Sequence, residues 1–315
     1  MLRKITLMLI SIFLLSFLTY LIIYSVPGSF YDRGLLSGVS KERIEALGNC
    51  SSDSVIKSYG AWLSFAVRGD LGDSLEYKRP VMVVIGDKWV ETFWLSAFAL
   101  AAELILGILI SICIVRFRKK RHIWGIYNFA VALLLSVPVF VIAILLRKFF
   151  SYDLRVFPFS GFKTVDSGLY GIGEYMDVLF HLILPGITLA LASMGGFIKL
   201  MTASIADEME RQYITYARAR GFGQWQLIIQ FALRNARIPL WWHIINSIPY
   251  IFGGAIVVEK IFGIDGLGNM AYSAAMARDF PLLMGYTFIF GTLVVICNGL
   301  SDTIYRKVDV RIRED

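Results

Sequence analysis

Six stretches of this chain are too long and too apolar for loops: about residues 6 to 26, 92 to 115, 123 to 146, 181 to 206, 239 to 258 and 283 to 305. A helix needs about 20 mostly apolar residues to cross a hydrocarbon layer of roughly 30 Å, and each stretch is close to or above that length. Composition points the same way. Of 315 residues 57% are apolar and 17% charged, with a mean hydropathy of +0.65, a balance typical of a polytopic membrane protein rather than a soluble core. The sequence predicts an all-α chain of six transmembrane helices. Neither a Pro-, Ser- or Gly-rich linker nor a clear internal repeat divides it. The expected organisation is an N-terminal anchor helix (1–26), an extracytoplasmic loop (27–91), a five-helix core (92–305) and a short tail (306–315).

The first stretch follows Arg3 and Lys4, as a secretory signal would, but its apolar run reaches Val26 and ends at Pro27-Gly28 without a small-x-small site. It reads as a retained anchor. Lys and Arg favour the inner side of short loops. With the N-terminus inside, the inner segments carry 17 of the 31 Lys and Arg, although they are about half as long as the outer segments that carry the other 14. The strongest single signal is Arg116-Phe-Arg-Lys-Lys-Arg121 between the second and third spans. Both termini are therefore expected in the cytoplasm. The net charge of +7 is then explained by orientation and contact with anionic lipid, with no nucleic-acid partner implied.

Residues that carry catalysis are scarce. His122, His181 and His243 stand apart, with no His-Glu-x-x-His pair and no Gly-x-Ser-x-Gly elbow. Gly263-Ile-Asp-Gly-Leu-Gly268 lacks the lysine and hydroxyl of a phosphate loop and reads as a turn. Cys113 and Cys297 fall inside spans and Cys50 stands alone in the outer loop, so no disulfide framework is implied. Ionisable groups inside spans are costly and so are candidates for function. Here they are Glu103, His243 and Asp302. Glu103 has no partner nearby in sequence; it reads first as a buried carboxyl bonded to another helix, and second as a proton relay.

The fifth span is broken and polar for a lipid-facing helix. Pro249 removes a backbone donor, Gly253 and Gly254 loosen the helix, and Asn246 and Ser247 offer groups for freed carbonyls or water. His243, Asn246, Ser247, Pro249 and Gly253 are the candidates for lining a translocation path; the alternative is a tightly packed interior helix.

Between the fourth and fifth spans lies a basic segment, 207–238. Asp207, Glu208 and Glu210 precede a helical stretch and Arg218 and Arg220 end it, the charge order a helix dipole favours. Gly221 fits the helix stop and Gly223 a second bend. Phe222, Trp225, Ile228, Ile229, Ala232 and Leu233 then recur at three- and four-residue steps. The pattern is helix, turn and short amphipathic helix at a membrane face.

This segment resembles the cytoplasmic coupling loop of bacterial ABC importer permeases of the oligopeptide, dipeptide and nickel family. The resemblance rests on Ala217-Arg-Ala-Arg-Gly221 and Leu233-Arg-Asn-Ala-Arg-Ile-Pro239. It extends in order through Gly69-Asp-Leu-Gly-Asp-Ser74, Arg79-Pro-Val81, Ser136-Val-Pro-Val-Phe140, Leu184-Pro185, Val258-Glu-Lys-Ile-Phe262, Gly266-Leu-Gly268, Arg278-Asp-Phe-Pro281 and Asp309-Val-Arg-Ile-Arg313. Phe231, Asp265 and Val310 stand where the family often has histidine, proline and proline.

The resemblance implies a permease subunit of the bacterial inner membrane that is not itself an enzyme and binds no cofactor. It implies a second homologous permease, two cytoplasmic ATPases that hold ATP and magnesium, and an extracytoplasmic substrate-binding protein as partners. Ala217, Ala219, Gly221, Phe222, Trp225, Arg234 and Asn235 would then form the ATPase-coupling surface. Peptides are the expected solute, nickel or a metal chelate the alternative, and an ion-coupled carrier using Glu103 the reading from another class.

Overall fold

In a computed structural model the described residues are 2–25, 55–164, 168, 170–253 and 256–308. Cys50, residues 27–54 of the outer loop, Gly254 and the motif at 309–313 lie outside them. Helices α1 (Leu2–Ser25), α2 (Val55–Ala66), α3 (Val81–Arg116), α4 (Arg121–Ser136) and α5 (Val139–Leu146) come first, and α5 continues as a π-wound turn, Arg147–Asp153. After a loop follow α6 (Ile172–Glu208), α7 (Gln212–Ala219) and a helical stretch over 224–235, here α8, which is π-wound over Leu227–Ala232. The chain continues as α9 (Arg237–Gly253), α10 (Ile256–Phe262), α11 (Leu267–Ala277) and α12 (Phe280–Val308). The described residues hold no strand, and only an isolated bridge joins Asp73 to Pro80.

Among the described residues four helices, in α1, α3, α6 and α12, are long and apolar enough to cross a bilayer. The third predicted span departs from a straight helix. It divides into α4 and α5, which meet at an angle of 100°. The cause is local: Pro138 disfavours the helical conformation at Val137, which instead takes φ −85° and ψ 120°. Counted as one bent span, this pair makes a fifth. The fifth predicted span is found as α9, described over the 17 residues Arg237–Gly253. The fourth span opens earlier than predicted, so Pro185 lies inside α6 rather than at its start.

Between helices in lipid there is no water to expel, so contact depends on close van der Waals approach. The two longest helices, α3 and α6, show how it is reached. Gly107 of α3 receives the Phe197 ring of α6, and Gly186 of α6 receives the Phe98 ring of α3; a Cβ at either glycine would overlap the ring. At the end where α3 begins, Tyr59, Trp62, Leu71, Val81, Leu267 and Leu282 form one buried cluster. At the opposite end, Ile112 and Val115 of α3 and Met201 and Ile205 of α6 pack on Leu227, Ile228 and Ala232 of α8.

Two buried carboxylates tie down the turns at the first end. Asp279, just before α12, accepts from the Ser74 hydroxyl, from Glu76 N–H at 3.1 Å and from Leu282 N–H at 3.2 Å. The separate motifs at 69–74 and 278–281 thereby become a single joint. Glu259 of α10 accepts from Thr92 Oγ1 at 2.7 Å and from Asn269 N–H at 3.0 Å, while Thr92 Oγ1 accepts from Leu267 N–H at 2.8 Å. Gly266 leaves room for this cluster, because a Cβ there would meet both Thr92 and Glu259.

Replacing Asp279 by Ala leaves these donors without an acceptor, each costing about 1–3 kcal/mol. A clear fall in the thermal midpoint of the detergent-solubilised protein is expected, with a smaller fall for Asp279→Asn.

Candidate functional site

The segment between α6 and α9 is the most distinctive polar feature of the second end. Helix α6 continues through Glu208, so Asp207 and Glu208 close one helix rather than open the next. The dipole reading of these acids is thus corrected: they sit at a C-terminus, and Glu208 is held by a specific partner instead. Tyr213 of α7 donates its hydroxyl to Glu208 Oε2 at 2.5 Å and accepts from Asn235 Nδ2 at 2.9 Å. Burial lifts the Tyr213 phenol above its ordinary pKa, so at neutral pH the proton that bonds Glu208 stays in place. One hydroxyl therefore joins the end of α6, the start of α7 and the end of α8. Met209 and Ile214 are buried beneath the corner.

Helix α7 stops at a paired C-terminal motif. Gly221 has φ +90°, in the left-handed region, and its N–H donates to Arg218 O at 3.0 Å while Phe222 N–H donates to Ala217 O at 3.3 Å. A residue with a Cβ is strained at that φ. Gln226 then turns back to accept from Gly223 N–H at 2.9 Å, which starts α8.

Packing of α8 against α3 and α6 sets which of its residues face inward. Leu227, Ile228 and Ala232, followed by Ala236, are all buried. On the other side Trp225 is 45% exposed and Ile229 50%, and Tyr216 of α7 is 70% exposed. The sequence reading places Ile228 and Ile229 in one apolar pattern; the structure buries Ile228 and leaves its neighbour Ile229 half exposed.

The sequence candidates distribute as follows. Ala217 is buried in the cluster under α8, so it supports the element from within. Ala219, Gly221 and Arg234 are exposed, and Asn235 carries the bond to Tyr213. Phe222 is half-buried, its ring meeting Phe231 edge-on at 5.2 Å. Trp225 leans toward the α3–α4 loop, 6.5 Å from the Phe117 ring and 5.8 Å from the Arg116 guanidinium. In the same loop Arg118 pairs with Glu210 at 3.2 Å. The basic run read as an orientation signal is therefore also in contact with this element. Tyr213, Leu227 and Arg116 were missed as contributors; only the tyrosine next to an acidic cluster offered a sequence signal.

The path candidates lie on α9. Asn246 Nδ2 donates to Trp242 O at 2.8 Å and Ser247 Oγ to His243 O at 2.9 Å, each one turn back on its own helix. Neither reaches the Ile245 carbonyl that Pro249 deprives of its helical donor. Pro249 is buried, Gly253 ends α9, and His243 Nε2 lies 3.1 Å from Glu103 Oε1. Of the other histidines, His181 is buried on the far side of the bundle and bonded to Gly161 O and Thr164. No group of three or more His, Cys, Asp and Glu among the described residues is arranged to hold a metal ion.

A family model described as "Binding-protein-dependent transport system inner membrane component" matches residues 103–314. A putative peptide permease protein of Brucella ovis is 32% identical over 81% of this chain and 79% of its own. An oligopeptide transport system permease protein of Bacillus subtilis is 31% identical over 98% of this chain and 97% of its own. A dipeptide transport system permease protein of Lactococcus lactis is 27% identical over 99% and 98%.

Replacing Tyr213 by Phe removes the shared hydroxyl, worth about 0.5–1.5 kcal/mol of local stability. Amides of 212–236 are expected to exchange several-fold faster while those of α3 and α6 keep their rates; hydrogen exchange with mass spectrometry reads the difference.

Proposed function

The chain belongs to the family of binding-protein-dependent transport system inner membrane components, the multi-pass permease subunits of ABC transporters of the peptide-transport type, and from that premise we propose that it forms half of the path by which an ABC importer admits peptides. The family is one of permeases rather than enzymes, with ATP hydrolysis on separate subunits. The second half of the path is a homologous permease, two cytoplasmic ATPases hold ATP and magnesium, and an extracytoplasmic binding protein delivers the solute. Both termini and the α7–α8 element then face the cytoplasm, in keeping with the excess of Lys and Arg on that side.

The observation that carries this reading is the division of α8 into two faces. Leu227, Ile228 and Ala232 press on Met201 and Ile205 of α6, while Trp225, Ile229 and Tyr216 stay outside. An element with a fixed inner face and an exposed aromatic outer one suits docking in a partner's cleft, where a few aromatic anchors dominate the energy. Closure of the ATPases on ATP then displaces α7 and α8 as one piece, and the displacement passes to α6 by packing and to α9 by direct chain continuity. The Tyr213 bonds and the corner at Gly221 keep the piece from deforming under load.

Peptide is favoured over nickel by the names of the relatives and by the lack of a ligand cluster among the described residues. The substrate-binding partner sets the final selectivity.

Gly221→Leu places a side chain at φ +90° in otherwise open space, straining the corner by roughly 1–2 kcal/mol. The variant is expected to insert and assemble, and to hydrolyse ATP while uptake of a labelled peptide falls at least about tenfold; uptake at the wild-type rate would refute the coupling role. Trp225→Ala is expected to weaken retention of the ATPase during purification by about 30-fold or more, as removal of an anchor worth ≥ 2 kcal/mol does.

A further inference from the structure

Glu103 is buried in the middle of α3, its side chain 5% exposed. Its hydrogen-bond partner among the described residues is His243 of α9, at 3.1 Å. The imidazole is in turn stacked on Phe197 of α6, centroids 4.5 Å apart and planes 30° from parallel. Phe197 occupies the notch over Gly107, one turn beyond Glu103. Three helices distant in sequence thus meet at one point, through one polar contact and one ring contact. The other buried carboxylates among the described residues, Asp279 and Glu259, hold turns at the end where α3 begins through backbone donors. Glu103 instead joins one membrane helix to another.

The position of this junction sets it apart. Phe197 belongs to the same apolar cluster as Met201, Ile205, Leu227 and Ile228, so packing is continuous from α8 to the His243 ring. The chain offers a second route: α9 starts at Arg237, next after the corner at Ala236, and six residues of helix, about 9 Å, lead to His243. Both routes end on the same side chain. Beyond it Pro249 removes a backbone donor, so the first turns of α9 form a stiffer unit than its far end.

We propose that Glu103 and His243 form a latch that fastens the first turns of α9 to α3 and α6, making Glu103 a positioning residue for transport. Acting through His243, Glu103 makes α9 move with the α7–α8 element instead of flexing independently of it. This rests on the coupling reading above. The latch requires a hydrogen bond and not a transferable proton, which separates it from a proton relay at the same carboxyl.

The test uses the whole transporter in proteoliposomes, reading peptide imported per ATP hydrolysed. Glu103→Ala and His243→Ala are each expected to lower that ratio about tenfold, within the range of couplings between sites, with ATP hydrolysis itself changed less than about twofold. The double alanine variant is expected to be no worse than either single one, as for residues acting as a unit. Glu103→Gln is expected to stay near wild type, because its amide still bonds the imidazole. Where a single alanine variant fails to assemble, Glu103→Leu combined with His243→Leu leaves no orphaned polar group and is expected to be uncoupled likewise.

A wild-type ratio in the alanine or leucine variants overturns the latch, as do additive losses in the double variant. Loss in Glu103→Gln equal to that in Glu103→Ala also overturns it, in favour of a role for the charge. Gly221→Leu separates the two levels: if it uncouples while the Glu103 and His243 variants do not, only the latch fails, and if it too is coupled, the coupling reading fails first.

Discussion

Hydrocarbon offers no hydrogen-bond partner, so a polar group on the buried part of this chain is costly unless the protein itself supplies one. Much of the architecture follows. Backbone groups are spent inside helices, and small hydroxyls fold back on their own helix, as Ser247 and Thr188 do. Several others are joined across the fold. Ser16 of α1 bonds Tyr59 of α2 at 2.7 Å, Asp279 gathers the turn at 74–76, Glu259 gathers Thr92 and the turn before α11, and Glu103 meets His243. Each pairing removes an isolated polar group from an apolar surrounding and, in doing so, fixes the relative position of two segments far apart in sequence.

Because lipid supplies no water-driven attraction between helices, the rest of the cohesion is contact. Rings seated over glycines, as Phe197 is over Gly107, bring α3 and α6 close enough for dispersion to act along their length. A tightly seated interface of this kind shifts between discrete arrangements instead of deforming gradually. That property suits the proposed coupling, in which a push received at α8 would reach α6 and α9 with little lost to local compression. The α7–α8 element is built accordingly, with its inner face packed and its corners held by backbone bonds.

The breaks in the helices are as informative as their lengths. At Val137-Pro138 the chain turns by 100°, so α5 and its π-wound extension approach α6 and α10 rather than continuing the line of α4. Arg147 at the start of that extension donates to Ile261 O and stacks on the Phe159 ring. An arginine that the sequence would place in an outer loop thereby joins α10 to the loop before α6.

Helical content, the location of the apolar segments and the motifs that mark the family were legible in the sequence, because each depends on composition or order over a short run. The corner at Gly221 was legible too, since a positive φ is a demand the local backbone makes by itself. Which face of α8 turns inward was not: Ile228 is buried and its neighbour Ile229 half exposed, and packing against α3 and α6 decides between them. Ala217 looked like part of an exposed surface and is buried in the cluster under α8. Glu103 had no visible partner because its partner is 140 positions away, and the motifs at 69–74 and 278–281 gave no sign that one carboxylate joins them. Local chain chemistry decided what forms and where it stops; tertiary structure decided what meets, because the cost of an unpaired polar group is settled only by the neighbours that folding brings.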